Sequence, residues 1–234
     1  MTAVSKTEKL TIGIAGAGIA GLASAALLSG RGHRVHVFDK APQPAPVGSG
    51  LILQPVGLAV LSLLGAEERI RTCGQRIDRM FGRVMPSGRI VLDVRYGAPG
   101  SGKYGIAVHR AALYDALLST AINAGAVFDF GQEIVAGAAG ARAGELHFRS
   151  GRSRRFDIVI DAAGARSPLT APGGRDLSYG ALWANLTWPA GTVFDQHTLE
   201  QRYWRASCMA GVLPIGCLPG QSARQTAFFW SLKQ

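Results

Sequence analysis

Gly16, Gly18 and Gly21, followed by Asp39, form the pattern in this chain best suited to chemistry. The glycines lie in Thr11-Ile12-Gly13-Ile14-Ala15-Gly16-Ala17-Gly18-Ile19-Ala20-Gly21-Leu22, ahead of His36-Val37-Phe38-Asp39-Lys40. That spacing suits the pyrophosphate of a dinucleotide. A glycine at 16 permits a tight turn out of a strand, and one at 18 lets the backbone approach phosphate oxygens. A glycine at 21 lets a helix pack closely on a sheet. A helix that starts near Ile19 and runs through Ala20 and Gly21 would aim its free N–H groups at the anion. Asp39, about twenty residues on, would accept hydrogen bonds from the adenosine ribose hydroxyls. Its carboxylate would repel a 2′-phosphate, which argues against NADP in this pocket. Lys40 reads either as a wall of the adenine pocket or as a solvated lysine.

The elements that must hold these residues follow a strand–helix–strand order. An apolar strand precedes the glycines, an Ala/Leu-rich helix follows, and an acidic residue ends the next strand, which is the context a dinucleotide-binding βαβ unit requires. Residues 41–50 are rich in proline and glycine and predict a loop. Residues 51–54 read as extended, and 56–64 and 66–72 as helices broken at Gly65. Segments 78–85 and 89–95 alternate around Pro86-Ser87-Gly88 as a hairpin. Residues 110–124 predict an amphipathic helix with Leu113, Leu117, Ala121 and Ala124 on one face, and 127–130 a third parallel strand. Short strands are expected at 133–136, 145–148 and 154–160, with Ser150-Gly151 as a hairpin turn. The last strand returns to the buried sheet as a nearly continuous apolar run. After Pro172-Gly173-Gly174 the texture changes. Segments 180–188, 200–204, 209–213 and 226–232 are strand-like and tryptophan-rich, which predicts a second, antiparallel sheet. Trp183, Trp204 and Trp230 read as plain core in preference to a pocket lining.

Composition narrows the classes. The 234 residues allow one large domain or two small ones, and 47% hydrophobic residues can form a core. No apolar stretch is long and unbroken enough to span a bilayer. Residues 1–9 are polar with no hydrophobic signal region, so a cytoplasmic location is expected. The formal charge of +10 raises the question of a nucleic-acid partner. The dense basic run at 149–155 falls in a hairpin and has no interleaved aromatic residues to stack bases, so none is expected. Positive potential instead helps attract anionic cofactors. Cys73, Cys208 and Cys217 are odd in number and widely spaced, which indicates neither a zinc site nor a disulfide framework. No metal is expected.

Further motifs accompany the glycine turn: Gly48-Ser49-Gly50-Leu51, His109-Arg110-Ala111-Ala112-Leu113-Tyr114-Asp115-Ala116-Leu117-Leu118, and residues 157–169. Tyr179-Gly180-Ala181-Leu182-Trp183 and Phe228-Phe229-Trp230-Ser231-Leu232 follow. In order and spacing the chain resembles, over essentially its whole length, the FAD-dependent aromatic hydroxylases. These are the single-component flavoprotein monooxygenases related to para-hydroxybenzoate hydroxylase. The resemblance implies an α/β fold: a Rossmann-like FAD-binding domain with a parallel sheet, plus an incomplete antiparallel-sheet substrate domain. The FAD-binding domain would span 1–176, with the hairpin 76–104 contributing to the second domain, and 177–234 would form part of the substrate domain.

The resemblance also implies roles. Asp39 would hold the adenosine ribose, Arg110 the FAD phosphate and ribityl region, and Gly50 and Leu51 would run past the isoalloxazine ring. A guanidinium offers forked donors that match phosphate oxygens, although the helix dipole disfavours a cation at a helix start. Asp161 and Gly164 would belong to a second fingerprint near the cofactor. Two departures stand out. The family commonly shows Asp-Gly-x-x-Ser-x-x-Arg, whereas this chain reads Ala163-Gly164-Ala165-Arg166-Ser167-Pro168-Leu169-Thr170. Efficient reduction by NAD(P)H is thereby put in question. The family's C-terminal Gly-Asp motif is also missing, so the chain looks like an N-terminal portion of such an enzyme.

The implied chemistry is reduction of FAD by NADH or NADPH, reaction with O₂, and hydroxylation of a small, electron-rich, often aromatic substrate. The cofactor carries that chemistry, and no side chain is assigned as catalytic acid, base or nucleophile. His109 reads as a structural histidine. The expected partners are a small-molecule substrate, with no nucleic acid and no membrane, and self-association or a partner chain at the incomplete second domain. Two alternatives stay open: a flavin oxidoreductase that does not hydroxylate, and a non-catalytic FAD-binding fragment. A NAD-binding dehydrogenase is the runner-up for the opening motif, weakened by the antiparallel hairpins where a second βαβ half would stand.

Overall fold

Val35 and Val37 lie two residues apart and Phe38 follows directly, so in a strand they would pack on both of its faces. In the computed structural model, which describes residues 8–44, 48–97, 102–170, 177–205 and 207–233, they do so. The chain begins β1 (Thr11–Ala15), α1 (Ile19–Gly30), β2 (Arg34–Asp39), β3 (Gly50–Leu53), α2 (Pro55–Leu63) and α3 (Glu67–Cys73). It continues β4 (Gln75–Ile77), β5 (Arg79–Val84), β6 (Ile90–Arg95), β7 (Gly105–His109), α4 (Arg110–Asn123), β8 (Val127–Phe130), β9 (Ile134–Ala139) and β10 (Gly144–Phe148). The last elements are β11 (Ser153–Phe156), β12 (Ile158–Asp161), β13 (Tyr179–Thr187), β14 (Thr198–Trp204), β15 (Cys208–Gly216) and β16 (Gln225–Lys233). Contacts divide the chain into two units, Met1–Ala45 with Leu117–Gly174 and Pro46–Ala116 with Arg175–Gln234.

The first unit is built on a parallel sheet in the order β12-β1-β2-β8. Ile12, Ile14, Val35, Val37 and Phe38 are buried along it, and α1 adds Leu22, Ala25 and Ala26. A second, antiparallel sheet, β11-β10-β9, contributes Leu146, Phe148 and Phe156, which cluster with Phe38. The Phe38 ring lies 4.9 Å from that of Phe148 and 5.8 Å from that of Phe156. Gly13 makes this approach possible, since a Cβ there would meet the Phe156 ring at 2.6 Å.

The expected single strand 154–160 is instead two strands in different sheets. Asp157 marks the break: its carboxylate accepts from both the Thr11 N–H and the Thr11 hydroxyl, each at 2.7 Å, and its own N–H donates to the Thr11 carbonyl at 2.9 Å. Those bonds redirect the chain into β12, beside β1. The run is also less buried than its apolar character predicted, because β12 is an edge strand and Ile158 is 42% exposed.

The second unit holds a six-stranded sheet, β13-β16-β15-β14-β5-β6, and a three-stranded antiparallel sheet, β3-β7-β4. The larger sheet is antiparallel as expected except for one parallel pair, β14 with β5. Ile77, Ala107, Leu199, Leu213, Ile215 and Ala227 form its core. Strands β4 and β7 carry part of that core without having been legible as strands. The hairpin β5–β6 is closed by a two-pronged Arg79–Asp93 pair, both contacts at 2.6 Å. The tryptophans are not core: Trp183, Trp204 and Trp230 are 50%, 51% and 43% exposed, and Leu182 and Leu186 on β13 are exposed with them.

Candidate cofactor site

In the first unit the glycine turn is fixed by backbone geometry. Gly16 has φ +101°, its N–H donates to the Phe38 carbonyl at 2.7 Å, and a Cβ there would sit 2.4 Å from the Ala162 carbonyl oxygen. At Gly21 a Cβ would lie 1.9 Å from the Gly16 carbonyl oxygen, so α1 cannot take this position with a larger residue. Gly18 differs from both. Its φ is ordinary at −76°, and a Cβ would meet nothing within 4 Å. It is the N-cap of α1, no side chain caps the helix, and no acidic residue stands in its first turn. The first-turn N–H groups, those of Ile19, Ala20 and Gly21 among them, therefore carry the partial positive charge of the helix end with no side chain to neutralise it.

Asp39 ends β2 beside this turn. Its carboxylate accepts from the Ala17 N–H at 2.8 Å and from the Ala41 N–H at 2.9 Å, which ties the glycine turn to the loop after β2. Each oxygen keeps a further lone pair for a hydroxyl donor. A cavity of about 320 Å³ opens here, lined by Gly16, Asp39, Lys40, Val135, Arg149 and Arg166 among others. Arg149 is held in a two-pronged pair with Glu133, one arm at 2.8 Å. Hydrogen bonding to that guanidinium keeps the Glu133 carboxyl below its usual range.

The segment after β12 completes this side. Asp161 accepts from the Ala163 N–H at 3.1 Å, and Gly164 has φ +84° with open space at its Cβ position. Ala163 and Arg166 line the cavity, whereas Gly18 to Gly21, Asp161 and Gly164 do not.

In the second unit Gly48 has φ +127°, and a Cβ there would sit 2.6 Å from Arg110 Cδ. The Arg110 N–H donates to the Ser49 carbonyl at 2.9 Å, so the start of α4 and the 48–51 segment are locked together. Gly50 pairs with His109 and Leu51 with Val108. Gly50 is required by packing, because a Cβ would meet Ile215 Cγ2 at 2.3 Å. Arg110 is exposed at the start of α4 and has no ion pair among the described residues.

His109 acts structurally, as its sequence context indicated. Its Nδ1 accepts from the Ala111 N–H at 3.1 Å and so caps α4. The Asn185 amide lies between His109 Nε2, at 2.8 Å, and the Ser49 hydroxyl, at 2.6 Å. A neutral imidazole carries one proton, so the capping bond at Nδ1 places it on Nε2. The Asn185 oxygen then faces Nε2 and its NH₂ faces Ser49, a half-turn of the amide. Burial lowers the His109 pKa and favours this neutral form. Nothing in the residue pattern marked Asn185, or Arg149 and Glu133, as neighbours of these sites. Asn185 is one polar residue in a strand, and Arg149 read only as a turn charge.

Among the described residues no group of three or more His, Cys, Asp or Glu could hold a metal ion, and no described helix is long and apolar enough to cross a membrane.

Comparison with known proteins identifies the architecture. The 3-amino-4-hydroxybenzoate 2-monooxygenase of Streptomyces cremeus is 34% identical over 170 residues, covering 71% of this chain and 43% of that protein. The 6-hydroxynicotinate 3-monooxygenase of Bordetella bronchiseptica is 29% identical over 164 residues, covering 69% and 42%. The chain thus spans less than half the length of these relatives. A variant of Klebsiella pneumoniae HpxO, solved in complex with FAD, superposes with a TM-score of 0.77 at 20% identity, over 96% of this chain and 57% of that one. Residues 9–226 match the profile of the FAD binding domain, and the chain belongs to that family.

Proposed function

We propose that this chain is the FAD-binding portion of a monooxygenase that uses NADH or NADPH and O₂ to hydroxylate a small aromatic substrate. The observation that carries the reading is the uncapped start of α1 at Gly18, open to an anion and set beside Asp39. The named activities of the relatives support the reaction class. Bound FAD would supply electron transfer and oxygen activation, chemistry that side chains cannot provide. The residues present fit it. Gly16, Gly18, Ile19, Ala20 and Gly21 would receive the diphosphate on backbone N–H groups, and Asp39 and Lys40 would line the adenosine end. Arg110 would donate to the phosphate and ribityl region, with Gly50 and Leu51 beside the ring. Asp161 and Gly164 would shape the turn after β12. In this proposal 1–176 forms the FAD domain, with 76–104 joining 177–234 in the substrate domain. A cytoplasmic location, and self-association or a partner chain over exposed Leu182 and Leu186, belong to the same reading.

The test is the absorbance between about 300 and 550 nm of the protein incubated with FAD and desalted, flavin absorbing in that range by its own chemistry. Retained flavin bands, followed by oxidation of NADH or NADPH that an aromatic acid accelerates, are the expected result. Folded protein that retains no flavin would overturn it. Retained flavin without turnover is the outcome for a non-catalytic FAD-binding chain. Ala163 and Thr170, standing where the resemblance places Asp and Arg, favour that second reading.

A further inference from the structure

Two of the three cysteines, far apart in sequence, meet in the second unit. Cys73 is the last residue of α3, and Cys217 directly follows β15. The Cys217 N–H donates to the Cys73 carbonyl at 2.8 Å. With standard backbone lengths, that bond holds the two Cα atoms at most about 6.7 Å apart, inside the range that disulfides span. Gly216 permits the approach: its φ is +74°, and a Cβ there would sit 2.0 Å from the Cys73 carbonyl oxygen. Both cysteines are partly buried, and neither is in a disulfide.

The Cys73 thiol donates to the Arg69 carbonyl at 3.2 Å, and a turn about χ1 releases it. Burial, and after it the neighbouring Cys217 sulfur, push the Cys73 thiol up. Its thiolate, the reactive form, is therefore scarce at neutral pH. Cys208 stands apart from the pair. It begins β15, about 30 Å along the strand from Cys217. Its sulfur accepts from the Trp230 indole N–H at 2.8 Å.

We infer that Cys73 and Cys217 form a reversible disulfide when the chain meets hydrogen peroxide, which makes the pair a redox modification site. The Cys217 thiolate attacks a peroxide oxygen and the O–O bond breaks. The hydroxide that leaves takes up the former thiol proton as water, and Cys217 becomes a sulfenic acid. The Cys73 sulfur then attacks the sulfenic sulfur. The S–S bond forms, the S–O bond breaks, and a second water leaves with the Cys73 proton. The two sulfurs together give two electrons to the peroxide. A small-molecule thiol reverses the bond by exchange. The disulfide ties the end of α3 to the end of β15, next to Ile215, the residue on which Gly50 packs. Nothing in this chemistry requires a bound flavin.

The test exposes the freshly reduced, desalted chain to hydrogen peroxide, quenches it in acid, and alkylates it unfolded so that free thiols are counted by mass. Two of the three thiols should be lost, with one linked peptide pair that carries Cys73 and Cys217. Before alkylation the monomer should be about 2 Da lighter, and dithiothreitol should restore it. Cys208→Ser should still lose two thiols. Cys73→Ser should form no intramolecular disulfide and leave Cys217 as a sulfenic acid that dimedone traps. Circular dichroism melts of the reduced proteins control for folding. In urea the link should shift to Cys208 and Cys217, the closest pair in sequence. The inference fails if Cys73 and Cys217 stay reduced at peroxide levels that oxidise free cysteine. It fails equally if the link in folded protein joins two chains or includes Cys208.

Discussion

Gly18 and Gly21 lie three residues apart and should respond to the same substitution in opposite ways. At Gly21 a Cβ would come to 1.9 Å from the Gly16 carbonyl oxygen, so α1 must move by more than 1 Å from the end of β1. Overpacking of that kind costs about 1–3 kcal/mol, and rigid backbone as the opposing atom places Gly21→Ala at the upper end. At Gly18 a Cβ meets nothing within 4 Å and φ is −76°, so no strain arises. Alanine is a poorer N-cap than glycine, by several tenths of a kcal/mol. The loss of glycine's freedom in the unfolded chain returns about 0.4–1 kcal/mol. The two nearly cancel, and Gly18→Ala should melt close to the parent. Its methyl group, however, stands in the open space above the uncapped helix end. Displacing a phosphate from one or two N–H donors there costs roughly 1.5–3 kcal/mol, or about 10- to 100-fold in FAD affinity. Urea unfolding and flavin fluorescence titration on the same preparations read both quantities. The reasoning fails if Gly18→Ala binds FAD as tightly as the parent, or if it loses as much stability as Gly21→Ala.

Phe38→Ala removes a ring that is 2% exposed and packed against Phe148 and Phe156, and should cost about 3–5 kcal/mol in urea unfolding of the first unit. Hydrogen bonds from Thr11 hold the Asp157 pKa below the usual carboxylate value of about 3.9. The stability this contributes is present above that value and lost as pH falls through the folded-state pKa. Asp157→Asn should therefore melt lower at neutral pH and show a shallower acid limb in a series of melts from neutral to strongly acidic pH. For His109, burial lowers the folded pKa beneath about 6.5. The unfolded chain takes up the proton first, so stability falls as pH drops below that value. An imidazole resonance for His109 titrating at or above 6.5 in the folded protein would contradict the capped, neutral form.

Much of this was legible because local physics and tertiary structure agreed. The glycine turn, α1 and β2 were readable because each glycine has its own steric reason, which the spacing encodes. The hairpin at 86–88 was readable from alternation. Strands β4 and β7 were not, since three to five residues give no period to detect, and what holds them is pairing with β7 and with β3 and β4 respectively. The break at Asp157 was hidden inside a run of apolar residues, because its cause is Thr11, distant in sequence. The tryptophans misled for a different reason: aromatic alternation signals a strand but does not say what covers it. The same limit applies to the site. Asp39 could be placed from its distance to the glycines, but its bonds to Ala17 and Ala41, and the Arg149–Glu133 pair beside the same cavity, exist only once the chain is folded.

The pairing of β1 with β12 has a consequence for biosynthesis. Thr11 and Asp157 are 146 residues apart, and β1 lies between β2, its near neighbour in the chain, and β12. At about 5–20 residues per second, the nascent chain waits roughly 7–30 s between making the two. Throughout that interval one edge of β1 has its hydrogen-bonding groups unmatched, beside a partly assembled apolar sheet. Such an edge is a template for wrong partners. The glycine turn between β1 and α1 is therefore among the first parts of the first unit to be synthesised and among the last of that unit to be secured, and a nascent chain halted before residue 157 would be a substrate for chaperones.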